Sequence, residues 1–180
     1  NIKSVEGKNG HAIIQLSKRG ENSIFLYPGS NERLTEEFID SVLEKFSETD
    51  MLLLQNEVNL IEYIIKKAYE KGMKIIFNPS PITENMPKFP LEKVSLFILN
   101  EVEGEALTGE KDEDKIIEKL LEIYPESDFV LTLGDKGAIY FNKKEQIAVE
   151  AEKVQVIDTT AEGDTYTGYF IAGKKKKKSV

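Results

Sequence analysis

Short apolar runs alternate with stretches of helical spacing along most of this chain, and that alternation limits its fold more than any other property. Met51–Leu54, Met73–Phe77, Val94–Leu99 and Phe129–Leu133 have the length and continuous apolarity of buried parallel strands. Between them, Ile61, Ile64, Ile65 and Ala68 make one helical stripe, and Ile116, Ile117, Leu120 and Leu121 make another. Asn59 with Glu62 has the pattern of a capping box, and Gly72 closes the helix it would open. Asn100 leads into a short helix that ends near Gly109. Strand, helix, strand in this order predicts βαβ units: a mostly parallel sheet with helices on both faces.

The flanks read differently. His11–Leu16 and Ser23–Tyr27 enclose a polar turn and predict a β-hairpin, with His11 as a strand residue. Thr35 would cap a helix carrying Phe38, Ile39, Val42, Leu43 and Phe46 on one face. Ala138–Phe141 and Ile147–Ala151 form a second hairpin-like pair, and a last helix starts near Gly163. A length of 180 residues suits one domain spanning 1–180, with 11–27 as a hairpin attached to it.

Polar clusters follow the apolar runs at Glu57, Asn78, Asn100–Glu103, Thr132–Gly137 and Asp158–Asp164. In parallel α/β sheets, ligands bind beyond the carboxyl ends of the strands. The stretch Val156–Phe170, V-I-D-T-T-A-E-G-D-T-Y-T-G-Y-F, carries the most chemistry. It offers a helix start for a phosphate, a glycine that admits close approach, and Asp164 beside them. An ordinary capped helix, with Asp158, Thr159 or Thr160 at the N-cap, explains the same residues.

Composition excludes several classes. A net charge of −8 argues against nucleic-acid binding. Lys174–Lys178 could meet an anionic partner, but so short a run reads first as solvated surface. With no cysteine and one histidine, disulfides and thiolate or histidine zinc sites are ruled out or strongly disfavoured. No apolar run has the length of a membrane span and no signal pattern is present, so a cytoplasmic location is expected.

Taken together, the clusters resemble the ribokinase-like, or phosphofructokinase-B type, carbohydrate kinase family. Asn78-Pro79-Ser80-Pro81 resembles its Asn-Pro-Ala-Pro turn. Asn100-Glu101-Val102-Glu103 with Leu107-Thr108-Gly109 resembles its Asn-x-x-Glu motif and trailing Leu-Thr-Gly. Leu131–Gly137 resembles its nucleotide-binding turn, and Asp158–Thr165 its Asp-Thr-Thr-Ala-Ala-Gly-Asp-Thr signature. The resemblance implies a three-layer α/β/α sandwich and transfer of the ATP γ-phosphate to a sugar hydroxyl, ribose being favoured. Fructose, nucleosides and sugar phosphates are also accepted within the family.

The resemblance also implies roles. Asp164 would be the catalytic base, and the N–H groups of Ala161, Glu162 and Gly163 the anion hole. Glu103 with Asn100 would organise Mg²⁺ and the phosphates. Thr132, Leu133, Gly134, Asp135, Lys136 and Gly137 would contact ATP. Asp158 and Thr160 would bind a monovalent cation such as K⁺, and Glu57 the sugar. The hairpin at 11–27 would be part of a lid, through which a homodimer could form. Glu162 departs from the family's Ala or Gly, and an outward side chain is expected there. The family is longer at both ends, so the resemblance predicts a truncated sandwich, with little kinase activity in the chain as it stands.

Overall fold

The computed structural model describes residues 3–16, 22–153 and 161–175. The chain divides into two compact units, Asn1–Gly10 with Pro28–Ala151, and His11–Tyr27 with Glu152–Val180.

The second unit contains a two-stranded antiparallel ribbon, β1 (His11–Leu16) and β2 (Asn22–Tyr27), as the hairpin pattern predicts. His11 is a strand residue, its ring 5.0 Å from that of Tyr27. Ile13 pairs with Phe25 and Ile14 with Ile24. Successive pairs point to opposite faces, so both faces of the ribbon are apolar, and all four side chains are exposed.

In the first unit, α1 (Glu36–Leu43) begins where Thr35 accepts a hydrogen bond from the Phe38 N–H. Ile39 and Leu43 are buried. Phe46 does not extend their face: the helix stops at Leu43, and Phe46 lies exposed beyond it. Next come β3 (Met51–Gln55), α2 (Ile61–Glu70), β4 (Lys74–Asn78), β5 (Leu96–Asn100), α3 (Glu101–Thr108) and α4 (Glu113–Ile123). The run closes with β6 (Asp128–Thr132), β7 (Ala138–Phe141) and β8 (Gln146–Val149). The six strands β3 to β8 form one sheet in chain order. The pairs from β3 to β6 are parallel, and β7 and β8 are added antiparallel. Helix α5 (Glu162–Lys175) belongs to the second unit, starts one residue before the expected Gly163, and carries Lys174 and Lys175 in its last turn.

Two expectations fail for physical reasons. Asn59 does not cap α2: Leu60 holds that position with φ +61°, and no side chain caps it. The Asn59 amide instead pins the backbone of Leu34, accepting from its N–H at 3.0 Å and donating to its carbonyl at 2.9 Å. Glu62 turns outward to Lys66 at 2.5 Å. Met51–Leu54 is not buried throughout either. Strand β3 is an outer strand of this sheet, and Leu53 is 47% exposed.

One face of the sheet carries Phe77, Phe97, Phe129 and Phe141, one from each of β4 to β7, all with 0% exposure. Phe97 and Phe129 stack at 5.3 Å and Phe129 and Phe141 at 5.0 Å, while Phe77 meets Phe97 edge-on at 6.4 Å. These rings share a core with Ile39, Ile65, Ala68, Ile116 and Leu120 from α1, α2 and α4. Such ring pairs add about 0.5–1.5 kcal/mol each beyond the area they bury. The alternate residues Ile76, Ile98, Val130 and Tyr140 are buried as well, so the middle strands are covered on both faces.

At the foot of the ribbon the backbone is tightly apposed. A Cβ on Gly10 would lie 2.7 Å from the Pro28 oxygen, and one on Gly29 (φ +54°) 2.6 Å from the Asn9 carbonyl. Only glycine fits at either place.

Candidate active site

Each parallel strand ends in a polar residue: Gln55 on β3, Asn78 on β4, Asn100 on β5 and Thr132 on β6. Gln55 is level with Asn78, and Asn100 with Thr132. Such a row is where the strand-end rule places ligands.

Hydrogen bonds tie three of these ends together. The Gln55 amide donates to Asn78 Oδ1 at 3.5 Å, and that oxygen also accepts from the Ser80 N–H at 3.1 Å. Asn78 Nδ2 donates to the Ile98 carbonyl on β5 at 2.9 Å. The Asn56 N–H donates to the Ser80 carbonyl at 2.9 Å, and its side chain to the Pro81 carbonyl at 2.7 Å.

Glu103 is the unusual residue. Asn100 caps α3 by accepting from the Glu103 N–H at 2.9 Å, and Glu103 Oε2 accepts from the Asn100 N–H at 3.0 Å, completing a capping box. The side chain is only 6% exposed. Burial raises its pKa above the ordinary carboxylate value, against the pull of the Asn100 N–H and the Ser80 hydroxyl. Among the described residues no ion pair involves Glu103. A desolvated carboxylate without a cationic partner suits a hard cation. No group of three or more His, Cys, Asp or Glu side chains that could together hold a metal ion occurs among the described residues. The donor set therefore fits a magnesium ion shared with nucleotide phosphates, which needs only one or two carboxylates, and does not fit an all-protein cage.

The turn after β6 lies beside this group. Thr132 Oγ1 donates to the Leu99 carbonyl on β5 at 3.4 Å. Residues Gly134–Lys136 form a 3₁₀ turn, closed by Leu133 N–H to the Gly137 carbonyl at 2.8 Å. Gly134 has φ +57° and open space where a Cβ would be. At Gly137 (φ +110°) a Cβ would fall 2.0 Å from the Val149 oxygen, so glycine is obligatory. Asp135 is exposed, and Lys136 meets Glu101 at 3.4 Å in an exposed pair. Glu57 is exposed on the turn after β3.

The remaining candidates lie at the start of α5, in the second unit. Ala161 has φ +60°, strained for a residue with a Cβ. Its carbonyl accepts both the Thr165 N–H at 3.0 Å and the Thr165 hydroxyl at 2.9 Å. Glu162, Gly163 and Asp164 follow in the exposed first turn, and Gly163 has open space about it. Asp158 and Thr160 lie outside the described residues. The structure thus brings Asn100, Glu103, Thr132 and the 134–137 turn together in the first unit, and Ala161 to Asp164 open α5 in the second. Sequence reasoning gave no role to Gln55, Ser80 or Glu101; their signal was a place at, or within two residues of, a strand's end.

Comparison with known proteins bears on this arrangement. The model of the pfkB family of carbohydrate kinases matches residues 2–180. The ribokinase of Staphylococcus aureus is 32% identical, over 97% of this chain and 59% of its own length. The crystal structure of ribokinase from Thermotoga maritima superposes with a TM-score of 0.80 at 32% identity, over 97% of this chain and 59% of that one. Ribokinase from Cryptococcus neoformans, solved in complex with ADP, has a TM-score of 0.80 at 33% identity, over 97% of this chain and 62% of that one. The chain therefore spans about 59% of the length of the S. aureus relative. The fold is the α/β sandwich of the ribokinases. Polar strand ends in one row, a boxed and buried Glu103, and a family match along nearly the whole length converge: this chain belongs to the pfkB family of carbohydrate kinases.

Proposed function

We propose that this chain is part of an ATP-dependent sugar kinase that transfers the γ-phosphate to a sugar hydroxyl, with ribose the favoured acceptor. The observation that carries the reading is the buried Glu103, boxed with Asn100, in a row of polar strand ends. The ADP complex of the C. neoformans ribokinase supports nucleotide use.

In this reading Asn100 and Glu103 hold Mg²⁺ on the phosphates, and Mg²⁺ supplies charge neutralisation for phosphoryl transfer. Residues Thr132 to Gly137 bind ATP mainly through backbone, since Lys136 is exposed and engaged with Glu101. Asp164 accepts the proton of the sugar hydroxyl, for which an ordinary carboxylate in hydrogen-bond reach suffices. The N–H groups of Ala161, Glu162 and Gly163 cradle the transferred phosphoryl group at the start of α5. Asp158 and Thr160 are the candidates for K⁺, and Glu57 for the sugar. The ribbon at 11–27 serves as a lid segment, and its two apolar exposed faces suit pairing with a second copy of the chain.

A second reading, nucleotide or sugar binding without turnover, is favoured for the chain taken alone by its spanning only 59% of the S. aureus ribokinase. One experiment separates the two. ATP analogues and ribose are titrated against the chain and its Asp164→Asn variant, and ADP release is followed with ribose, fructose and a nucleoside. A kinase keeps binding but loses turnover in the variant. Binding without turnover in both supports the second reading. Absence of binding in both defeats each.

A further inference from the structure

The turn after β3 is anchored at both ends by asparagine side chains. The β3–β4 ladder ends at the pair Gln55 and Asn78, yet the two chains stay joined beyond it. The Asn56 N–H donates to the Ser80 carbonyl at 2.9 Å. The Asn56 side chain then donates twice from Nδ2, to the Pro81 carbonyl at 2.7 Å and to Thr83 Oγ1 at 3.1 Å. A backbone carbonyl only accepts, so the nitrogen of this amide, not its oxygen, must face Pro81. Further along, Asn59 makes its own pair of bonds to the Leu34 backbone, at 3.0 and 2.9 Å. Between the two asparagines Val58 packs against the core.

Glu57 is the exposed residue of this pinned stretch. Its backbone is set from either side, so its carboxylate reaches a restricted region, and less freedom is lost when a ligand engages it. The two anchors do different work. Asn59 joins the start of α2 to the chain just before α1, and the packing of those helices explains it. Asn56 adjoins Glu57 directly and belongs to the strand-end row. Its neighbour Gln55 donates to Asn78 Oδ1 at 3.5 Å, and Asn78 donates to the Ile98 carbonyl on β5 at 2.9 Å. Through Asn56, the position of Glu57 is therefore referred to the ends of β4 and β5, where the candidate site lies.

We propose that Asn56 is a positioning residue for Glu57, its side-chain amide holding the turn so that the Glu57 carboxylate accepts from the hydroxyls of a sugar in one fixed place. The inference rests on the reading of Glu57 as the sugar contact. Asn56→Asp is the sharpest probe, because it keeps the shape of the side chain and removes the donor that Pro81 and Thr83 require. Thr83→Val is the milder one. It removes one of the two acceptors, at an exposed residue outside the turn it anchors.

The test is calorimetric titration of ribose into the 180-residue chain and into its Asn56→Asp, Thr83→Val and Glu57→Gln variants, with each of the first two also combined with Glu57→Gln. Circular dichroism checks that each variant is folded. Asn56→Asp is expected to weaken ribose binding by about tenfold, and Thr83→Val by roughly threefold. In the Glu57→Gln background neither is expected to have a further effect, because a residue that acts only through Glu57 has nothing left to position. Losses that persist in that background overturn the proposal, since they mark a contact that supports the fold and not the carboxylate. If Asn56→Asp does not fold, Thr83→Val decides by the same comparison. If Glu57→Gln weakens ribose binding and neither Asn56→Asp nor Thr83→Val does, only the role of Asn56 falls. If Glu57→Gln has no effect, or the parent chain does not bind ribose, the reading of Glu57 falls and the proposal falls with it.

Discussion

A carboxylate buried without a cation costs stability when charged, and at Glu103 that cost has a measurable signature. Burial raises its pKa above 4.5, the value expected in the unfolded chain. Between that value and the raised one, the folded state holds a proton that the unfolded state has lost. The contribution of Glu103 to stability therefore falls as pH rises through this window, and is flat on either side of it. Urea midpoints measured across mildly acidic pH should fall more steeply for the parent chain than for Glu103→Gln; parallel curves would show that the carboxyl is unperturbed. Glu162 lies exposed in the first turn of α5. An acid there is favoured by the helix start and screened by solvent. Glu162→Ala should change affinity for an ATP analogue by less than about tenfold, and a larger gain would mean the side chain faces the phosphates. The four-residue pattern Asn-x-x-Glu shows how far residues can be read from sequence. It occurs at 59–62, at 100–103 and in the turn at 142–145, and of the two that precede helices only 100–103 makes a capping box. Locally the two are alike. The first is diverted because the Leu34 backbone offers Asn59 two hydrogen bonds at once, a partner 25 residues away that no local pattern announces.

Among the elements, the sheet owes its specificity to the phenylalanines that cross β4 to β7. Phe129 stacks on both sides, so truncating it removes buried area and two ring contacts together. Phe129→Ala should cost about 3–5 kcal/mol, read as a lowered denaturant midpoint with an unchanged m-value. A loss within the range of an exposed site would mean that the rings are not mutually supporting. The alternation of strands and helices was legible because each run had the length and apolarity of its element. The ring row was not, since the phenylalanines lie far apart in the chain and meet only once the register is set. Strand β3 misled for a related reason: Met51–Leu54 is as apolar as the inner strands, and burial follows its place in the sheet, not its composition. The ribbon has apolar residues on both faces, which a two-stranded element cannot cover by itself. If a second copy covers them, Phe25→Glu should shift the chain towards monomer in sedimentation equilibrium. A parent chain already monomeric at high concentration would exclude that partner.

For the whole molecule, family membership was written in motifs spread along the sequence, while division into two units was not. The second unit joins segments from both ends of the chain, 11–27 and 152–180, and a pattern read outward from each residue does not show that pairing. The first unit, by contrast, holds the chain firmly where the ribbon departs and returns, with Gly10 against Pro28 and Gly29 against Asn9. That tight apposition works as a socket. It sets the spacing of the two chain ends without reference to what lies between them. Length and pattern in the 11–27 segment can then drift, or be exchanged for another hairpin, while the register of the six-stranded sheet stays as it is. An insertion seated in this way can be remodelled by evolution, or by a protein engineer, while the six-stranded sheet that carries it keeps its pairing.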